Sequence, residues 1–271
     1  MKLALAALLL VAAAPLPAEP VTLTGSAGQG GLLRGQLPKG ATALTLDGKP
    51  VATTPDGRFL IGFGRDAPAS AILAFTAVDG TPTSQTIAVA PRQWRIQSLP
   101  TLPPKPVPDA EFEARRPGEV ARIGTARAQS TPVSATGWSS SFRPPVAGPR
   151  TGVYGSQRIL SGTPMAPHSG LDFGVPAGTP VVAPAAGVVV LADGPFTLEG
   201  NLVLLDHGMG LVSAFLHLSR IDVKPGDIVA AGAPIGTVGK TGRATGPHLH
   251  WGVTWTDVRI DPALLLKDSP P

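Results

Sequence analysis

The sequence predicts a mostly β protein made of two modest units joined by a linker. Three observations carry that expectation. Of 271 residues, 33 are Gly and 31 are Pro, and both interrupt helices and mark turns. Hydrophobic residues make up 43 %, enough for real cores, and over much of the chain they alternate with polar ones, as in half-buried strands. The length exceeds a typical domain of roughly 100–150 residues and suits two.

In order along the chain, residues 1–18 read as a secretory signal peptide. Lys2 precedes an apolar run from Leu3 to Ala14 and then Pro15-Leu16-Pro17-Ala18. The run is shorter than the ~20 residues needed to span a bilayer, so cleavage after Ala18 is expected rather than anchoring. Residues 19–100 read as a small β-sandwich. Ala41-Thr42-Ala43-Leu44-Thr45-Leu46 alternates and ends at the turn Asp47-Gly48, and Ser84 to Val89 alternates likewise. Asp56-Gly57 and Asp79-Gly80 supply further hairpin turns. This unit offers no catalytic constellation. It serves either as a spacer or as a binding surface, and the spacer is favoured.

Residues 101–141 form a Pro-rich linker with local helix. Pro103-Pro104-Lys105-Pro106-Val107-Pro108 is stiff and extended. A short helix is expected over Asp109 to Arg116, interrupted at Pro117, with a second short stretch to Gln129. Residues 142–271 are again strand-like, with candidate strands at Val181-Val182, Val188 to Leu191, Leu202 to Leu205, Leu211 to Leu216 and His248 to Trp255. Glycines between them supply tight turns.

Composition narrows the chemistry. There is no Cys, which excludes a disulfide framework, a thiol nucleophile and Cys-ligated metal. The formal net charge of +4 falls to +3 once Lys2 is removed. The basic residues are neither clustered nor interleaved with aromatics, so nucleic acid is not an expected partner.

The five histidines are His168, His207, His217, His248 and His250, all in the C-terminal half. In a strand, His248 and His250 face the same side, with Leu249 opposite. Both rings can bind a metal, or one can bind while the other moves protons. His168-Ser169-Gly170-Leu171-Asp172 adds a nitrogen and a carboxylate oxygen of the kind zinc takes, with Gly170 letting the chain bend. The plainer reading is a loop histidine beside a turn-capping Asp. His217 ends an apolar run, where a lone His is usually structural. Beside a metal it would instead manage a water or an oxyanion. His207, in Asp206-His207-Gly208, reads as structural.

Several linked motifs make the C-terminal half, from about Phe142 to Leu266, resemble the lysostaphin-like (LytM-type) zinc metallopeptidases. They are Tyr154-Gly155-Ser156-Gln157-Arg158, His168-Ser169-Gly170-Leu171-Asp172-Phe173, Gly178-Thr179-Pro180-Val181, Asp206-His207-Gly208, His217-Leu218 and Thr245-Gly246-Pro247-His248-Leu249-His250. The resemblance implies a C-terminal antiparallel β-sheet metallopeptidase domain over residues 142–271. It implies Zn2+ held by His168, Asp172 and His250, and His217 and His248 as catalytic histidines. It further implies an exported, periplasmic or extracellular endopeptidase that cuts peptide bonds of peptidoglycan cross-links by metal-activated water. The expected partners are the peptidoglycan peptide and an envelope protein, with no nucleic acid and no membrane span after the signal is removed.

There are departures from the family pattern. Phe215 stands where many members carry Tyr, and Gly252 replaces a frequent Glu. Tyr154, the only tyrosine, is a weak candidate for transition-state stabilisation. Two other readings compete. A non-catalytic relative that activates cell-wall amidases would have lost metal ligands, and none is missing here. A biotinyl or lipoyl carrier would need an acceptor Lys at a hairpin tip, and the settings of Lys224 and Lys240 do not fit.

Overall fold

The computed structural model describes residues 20–101, 110–129 and 136–267. The expected signal peptide and the Pro103–Pro108 run lie outside the described residues. In chain order the elements are β1 (Thr22–Gly25), β2 (Leu32–Gln36), β3 (Thr42–Leu46), β4 (Lys49–Pro50), β5 (Arg58–Gly62), β6 (Ser70–Thr76), β7 (Pro82–Ala88), β8 (Ile96–Leu99) and α1 (Ala110–Ala128). Then follow β9 (Arg150–Gly152), β10 (Gln157–Leu160), β11 (Thr163–Pro164), β12 (Gly170–Phe173), β13 (Pro180–Val182), β14 (Gly187–Phe196), β15 (Gly200–Asp206) and β16 (Leu211–Leu218). The chain closes with β17 (Arg220–Ile221), β18 (Ile228–Val229), β19 (Pro234–Thr237), β20 (Leu249–Trp255) and β21 (Val258–Ile260).

The N-terminal strands form a three-stranded sheet, β1-β2-β5, and a four-stranded sheet, β4-β3-β6-β7. The turn dipeptides lie where the sequence puts them. Asp47 and Gly48 both take positive φ, 48° and 77°, as a two-residue hairpin connection requires. The two inner faces meet over Leu33, Phe59, Ile61, Leu73, Phe75 and Ile87, all buried in one core cluster.

That cluster does not stop at the linker. It runs on through Phe142, Phe173, Phe215, Trp251 and Ile260, so the two halves share a core. Polar contacts reinforce the join. Arg92 pairs with the buried Asp261 at 2.9 Å, and Arg34 Nε donates to the Trp138 carbonyl at 3.0 Å. β8 also pairs in parallel with β10. The N-terminal half is therefore packed into the C-terminal one, and it places a strand at the edge of the site described below.

The C-terminal half is built on an eight-stranded sheet with the order β18-β14-β15-β16-β20-β12-β9, and β21 adds to β20. All of its pairings are antiparallel. One face carries Val189, Val203, Phe215 and Trp251 into the shared core. The other carries Leu202, Leu204, Val212 and Ala214 under Ile123 and Ala126 of α1.

α1 departs from expectation, because it is a single helix of 19 residues that passes through Pro117. An interior Pro costs about 3 kcal/mol or more. Contacts on both sides of it hold the helix to the sheet. Arg116 makes a bidentate pair with Glu199, both bonds 2.7 Å. Glu119 accepts from the Thr197 backbone N–H at 2.8 Å and from its hydroxyl at 2.7 Å. Arg122 pairs with Asp193, and Ile123 and Ala126 are buried. Pro117 itself is exposed, so the carbonyl it leaves without a donor can be hydrated. No helix among the described residues is long and apolar enough to cross a membrane.

Candidate metal centre

Strand register brings Asp172 and His250 together. They are direct partners in the β12–β20 pairing, and Leu216 of β16 faces His250 from the other side. His168 precedes β12 in a loop tied at both ends of its peptide. Its N–H donates to Ser156 O at 2.8 Å, and its carbonyl accepts from Gly155 N at 2.9 Å. Gly155 is in turn braced from the N-terminal half, since Arg65 Nε donates to its carbonyl at 2.9 Å.

Two glycines allow the approach. A Cβ at Gly170 would lie 2.5 Å from Trp251 O and 2.8 Å from His250 Nε2. Its role is thus to admit His250 against the neighbouring strand, at the first residue of β12, where the loop carrying His168 enters the sheet. A Cβ at Gly152 would lie 2.2 Å from Asp172 Oδ2. The sequence alone carries no signal for Gly152, because its partner is 20 residues away.

The three side chains point at one spot. Asp172 Oδ1 lies 3.0 Å from His168 Nε2 and 2.9 Å from His250 Nδ1, and the two nitrogens are 3.1 Å apart. Nitrogen and oxygen ligands at about 2.0–2.1 Å from one tetrahedral ion would be roughly 3.3 Å apart, so the triangle needs little change to take a small divalent cation. The His168 Nδ1–H donates to Val153 O at 3.0 Å; with a metal in place of the Nε2 proton, that bond would keep the tautomer in which Nε2 offers its lone pair. Burial works to raise the Asp172 pKa. Hydrogen bonds from His168 and His250 outweigh it and hold the carboxyl well below the usual carboxylate range. Burial lowers the pKa of His250, which favours the neutral ring a metal requires. His168 is raised despite its burial, chiefly through its hydrogen bond to Asp172.

His217 and His248 stand beside this triangle. Their ring centroids are 4.8 Å apart, and His217 is 6.3 Å from His250. His217 reaches its place through a bulge. In the β15–β16 pairing Val203 faces Phe215 and Asn201 faces Leu218, so Leu216 and His217 together oppose Leu202. The extra residue turns His217 to the cavity face when strict alternation would point it into the core. Its φ of +65° is uncommon for a residue with a side chain. The Nδ1–H of His217 donates to Thr241 O at 2.8 Å and that of His248 to Gly246 O at 2.9 Å. Each ring therefore keeps Nε2 as a free acceptor. Burial pushes the His217 pKa down to about 4.

All five residues line one cavity of about 770 Å³. Arg95, Gln97 and Leu99 from the β8 region form part of its wall, with Arg116 of α1. These walls came from segments that the sequence reading assigned to a spacer and a linker.

The remaining sequence candidates lie elsewhere. His207 is fully buried in the core. Its Nδ1 contacts Ala186 O and its Nε2 Ser213 Oγ, each at 2.8 Å. Tyr154 does not face the cavity: it is buried, its hydroxyl donates to Arg259 O at 2.8 Å, and burial pushes its pKa up to about 12. That geometry gives it no part in transition-state stabilisation. Phe215 is buried in the shared core, so no hydroxyl there would be near the triangle's face of the sheet.

Residues 166–262 match Peptidase family M23. The chain is 49 % identical over 108 residues to the peptidoglycan DD-endopeptidase ShyA of Vibrio cholerae, covering 40 % of this chain and 24 % of that protein. It is 38 % identical over 103 residues to the DD-carboxypeptidase/endopeptidase Mpg of Neisseria meningitidis, covering 38 % and 24 %. The chain thus matches about a quarter of the length of these curated relatives. A crystal structure from Pseudomonas aeruginosa, described as an M23 peptidase, superposes with a TM-score of 0.67 at 33 % identity. It covers 89 % of this chain and 95 % of that one, so the likeness includes the N-terminal half. Motif and fold agree with the resemblance read from the sequence, and the chain belongs to peptidase family M23.

Proposed function

We propose that this protein is an exported zinc-dependent endopeptidase that hydrolyses peptide bonds of peptidoglycan cross-links. The observation that carries this reading is the convergence of His168 Nε2, Asp172 Oδ1 and His250 Nδ1 within 3.1 Å of one another, in a cavity shared with two more histidines. These three residues would hold zinc, with no fourth protein ligand in the cluster among the described residues, as a catalytic rather than a structural site requires. Zinc bound there supplies Lewis acidity, which makes a water acidic enough to lose its proton near neutral pH.

The chain's own residues then manage the protons. One of His217 and His248, each with Nε2 free, receives the proton that the attacking water gives up. As the water oxygen bonds to the carbonyl carbon and the C–N bond breaks, that proton passes to the leaving amine. A ring that carries the proton also stabilises the developing oxyanion. Thr241 O and Gly246 O keep both rings aimed through the cycle. The walls from β8 and α1 make the site a groove, suited to an extended peptide.

The names of the relatives support the wall peptide as substrate. The sequence pattern of residues 1–18 supports export. An amidase-activating, non-catalytic role is less favoured, because all three ligand atoms and both proton-handling rings are in place. The test is to incubate the chain from Glu19 with purified cross-linked peptide dimers and zinc and to weigh the products. Monomers whose summed mass exceeds the dimer by one water are expected. An unchanged dimer under zinc saturation would contradict the proposal.

A further inference from the structure

A second cavity, of about 300 Å³, adjoins the groove between α1 and the sheet, and shares Arg116, Ser169, Glu199, Leu216, His250 and Arg259 with it. Its floor is the polar face of β20. His250, Gly252 and Thr254 alternate along that face while Leu249, Trp251 and Val253 point into the core. At about 3.3 Å per residue, Thr254 lies ~13 Å along the strand from His250. A Cβ at Gly252 would meet nothing closer than 3.6 Å, so the floor between them is bare.

Two buried side-chain polar atoms among the described residues lack a hydrogen-bond partner, Arg127 Nε and Thr254 Oγ1, and both belong to residues lining this cavity. Thr254 is only 8 % exposed. A buried polar atom without a partner is costly to leave so, and both of these residues border the same space. The charges agree. Arg116 is engaged by Glu199 and Glu119, and Arg122 by Asp193. Among the described residues no carboxylate pairs with Arg127 or Arg259. Burial lowers the Arg127 pKa and the like charge of Arg259 lowers it further, with Glu199 offsetting part of the shift. Glu199 also lines the cavity, but both its oxygens hold Arg116.

We propose that this cavity is a carboxylate-binding subsite of the groove, in which the Arg127 and Arg259 guanidinium groups and the Thr254 hydroxyl hold a free carboxylate of the substrate peptide. The assignment rests on the peptidase reading for its ligand, since carboxylates are the anionic groups a wall peptide presents. An extended peptide advances about 3.3 Å per residue, so the subsite reads a carboxylate roughly four residues from the bond at the metal centre. Arginine suits this task because its planar fork matches a carboxylate in two bonds.

The test measures binding as well as turnover. The probe is a cross-linked peptide dimer in three forms: all carboxylates free, the terminal carboxylate amidated, and the side-chain carboxylate of the diamino acid amidated. Affinities are measured by calorimetry on the zinc-loaded chain carrying His217→Ala, so that cleavage does not consume the probe. One of the two amidations is expected to weaken binding tenfold or more, and which one identifies the carboxylate. Adding Arg259→Gln should bring the free and amidated forms within twofold of each other. Thr254→Val, which keeps the shape, should narrow the gap several-fold. Equal affinities for all three forms, or a gap that survives Arg259→Gln, would overturn the subsite. Cleavage by the otherwise unaltered chain separates the two claims. A binding gap without any cleavage keeps the subsite and sinks the peptidase reading, and cleavage with level affinities does the reverse.

Discussion

His207 and the four histidines of the groove lie in one sheet-based unit, yet their surroundings differ in one respect. His207 has both ring nitrogens engaged, by Ala186 O and Ser213 Oγ, and it packs edge-on against Phe142 with centroids 4.7 Å apart. His168, His217 and His248 each have Nδ1 engaged by a backbone carbonyl and the other nitrogen turned to the cavity. His250 gives Nδ1 to the same spot as His168. The difference teaches that burial does not separate the groove histidines from His207, since His217 and His250 are buried too. What sets His168, His217 and His248 apart is one nitrogen fixed on a backbone carbonyl and one turned to the cavity.

Removing a group from the metal side of this comparison should have the largest effect. His250→Ala takes one corner from the triangle, and loss of bound zinc with at least a thousandfold fall in turnover is expected, read by elemental analysis and peptide cleavage. Next comes Gly152→Ala. Its methyl would press on Asp172 Oδ2, and a displacement near 1 Å in a catalytic constellation costs about 10²-fold in rate. Turnover should fall by that order while the melting temperature moves little; an unchanged rate would show that β9 yields.

On the core side the readout should switch from rate to stability. His207→Ala removes two hydrogen bonds and leaves a void, a loss of about 2–4 kcal/mol, seen in denaturant unfolding. Activity per folded molecule should stay within a few-fold of the original. The same residue sets a pH dependence. Burial holds its folded-state pKa down to about 4, below the roughly 6.5 of the unfolded chain. The unfolded chain therefore takes the proton first. Stability from this residue is complete above about pH 6.5 and is lost as the pH falls towards 4. His207→Ala should flatten the melting temperature across that window, and an identical slope in both proteins would reject the account.

Much of this division was legible in the sequence. Period-two alternation placed His248 and His250 on one face, and Asp-Gly dipeptides placed the N-terminal hairpins. His207 was read as structural from its place between a strand and a Gly turn. What was not legible depends on partners far away in the chain. The bulge that turns His217 outward exists only in the pairing of β16 with β15. Pro117 reads locally as a break, and only the docking of Arg116, Glu119 and Ile123 on the sheet carries the helix through it. Arg127, Thr254 and Arg259 sit in different elements with no shared motif, and the N-terminal half joins the site through a parallel strand pair that no local pattern announces.

The smallest effect concerns that docking. Glu199→Gln leaves Arg116 with one carboxylate partner, Glu119, and should cost about 1–2 kcal/mol, since both side chains of the pair are partly exposed. Faster amide hydrogen exchange in α1 than in β16 would locate the loss in the helix.

The central claim is that the groove histidines divide into those that hold the metal and those that move protons. It is tested most directly by measuring zinc content and turnover on one preparation of His217→Ala. Zinc at one per chain, with kcat down about 10²–10⁴-fold, is the predicted result. Full turnover with zinc bound would show that His217 does no proton chemistry, and loss of zinc would place it among the ligands instead.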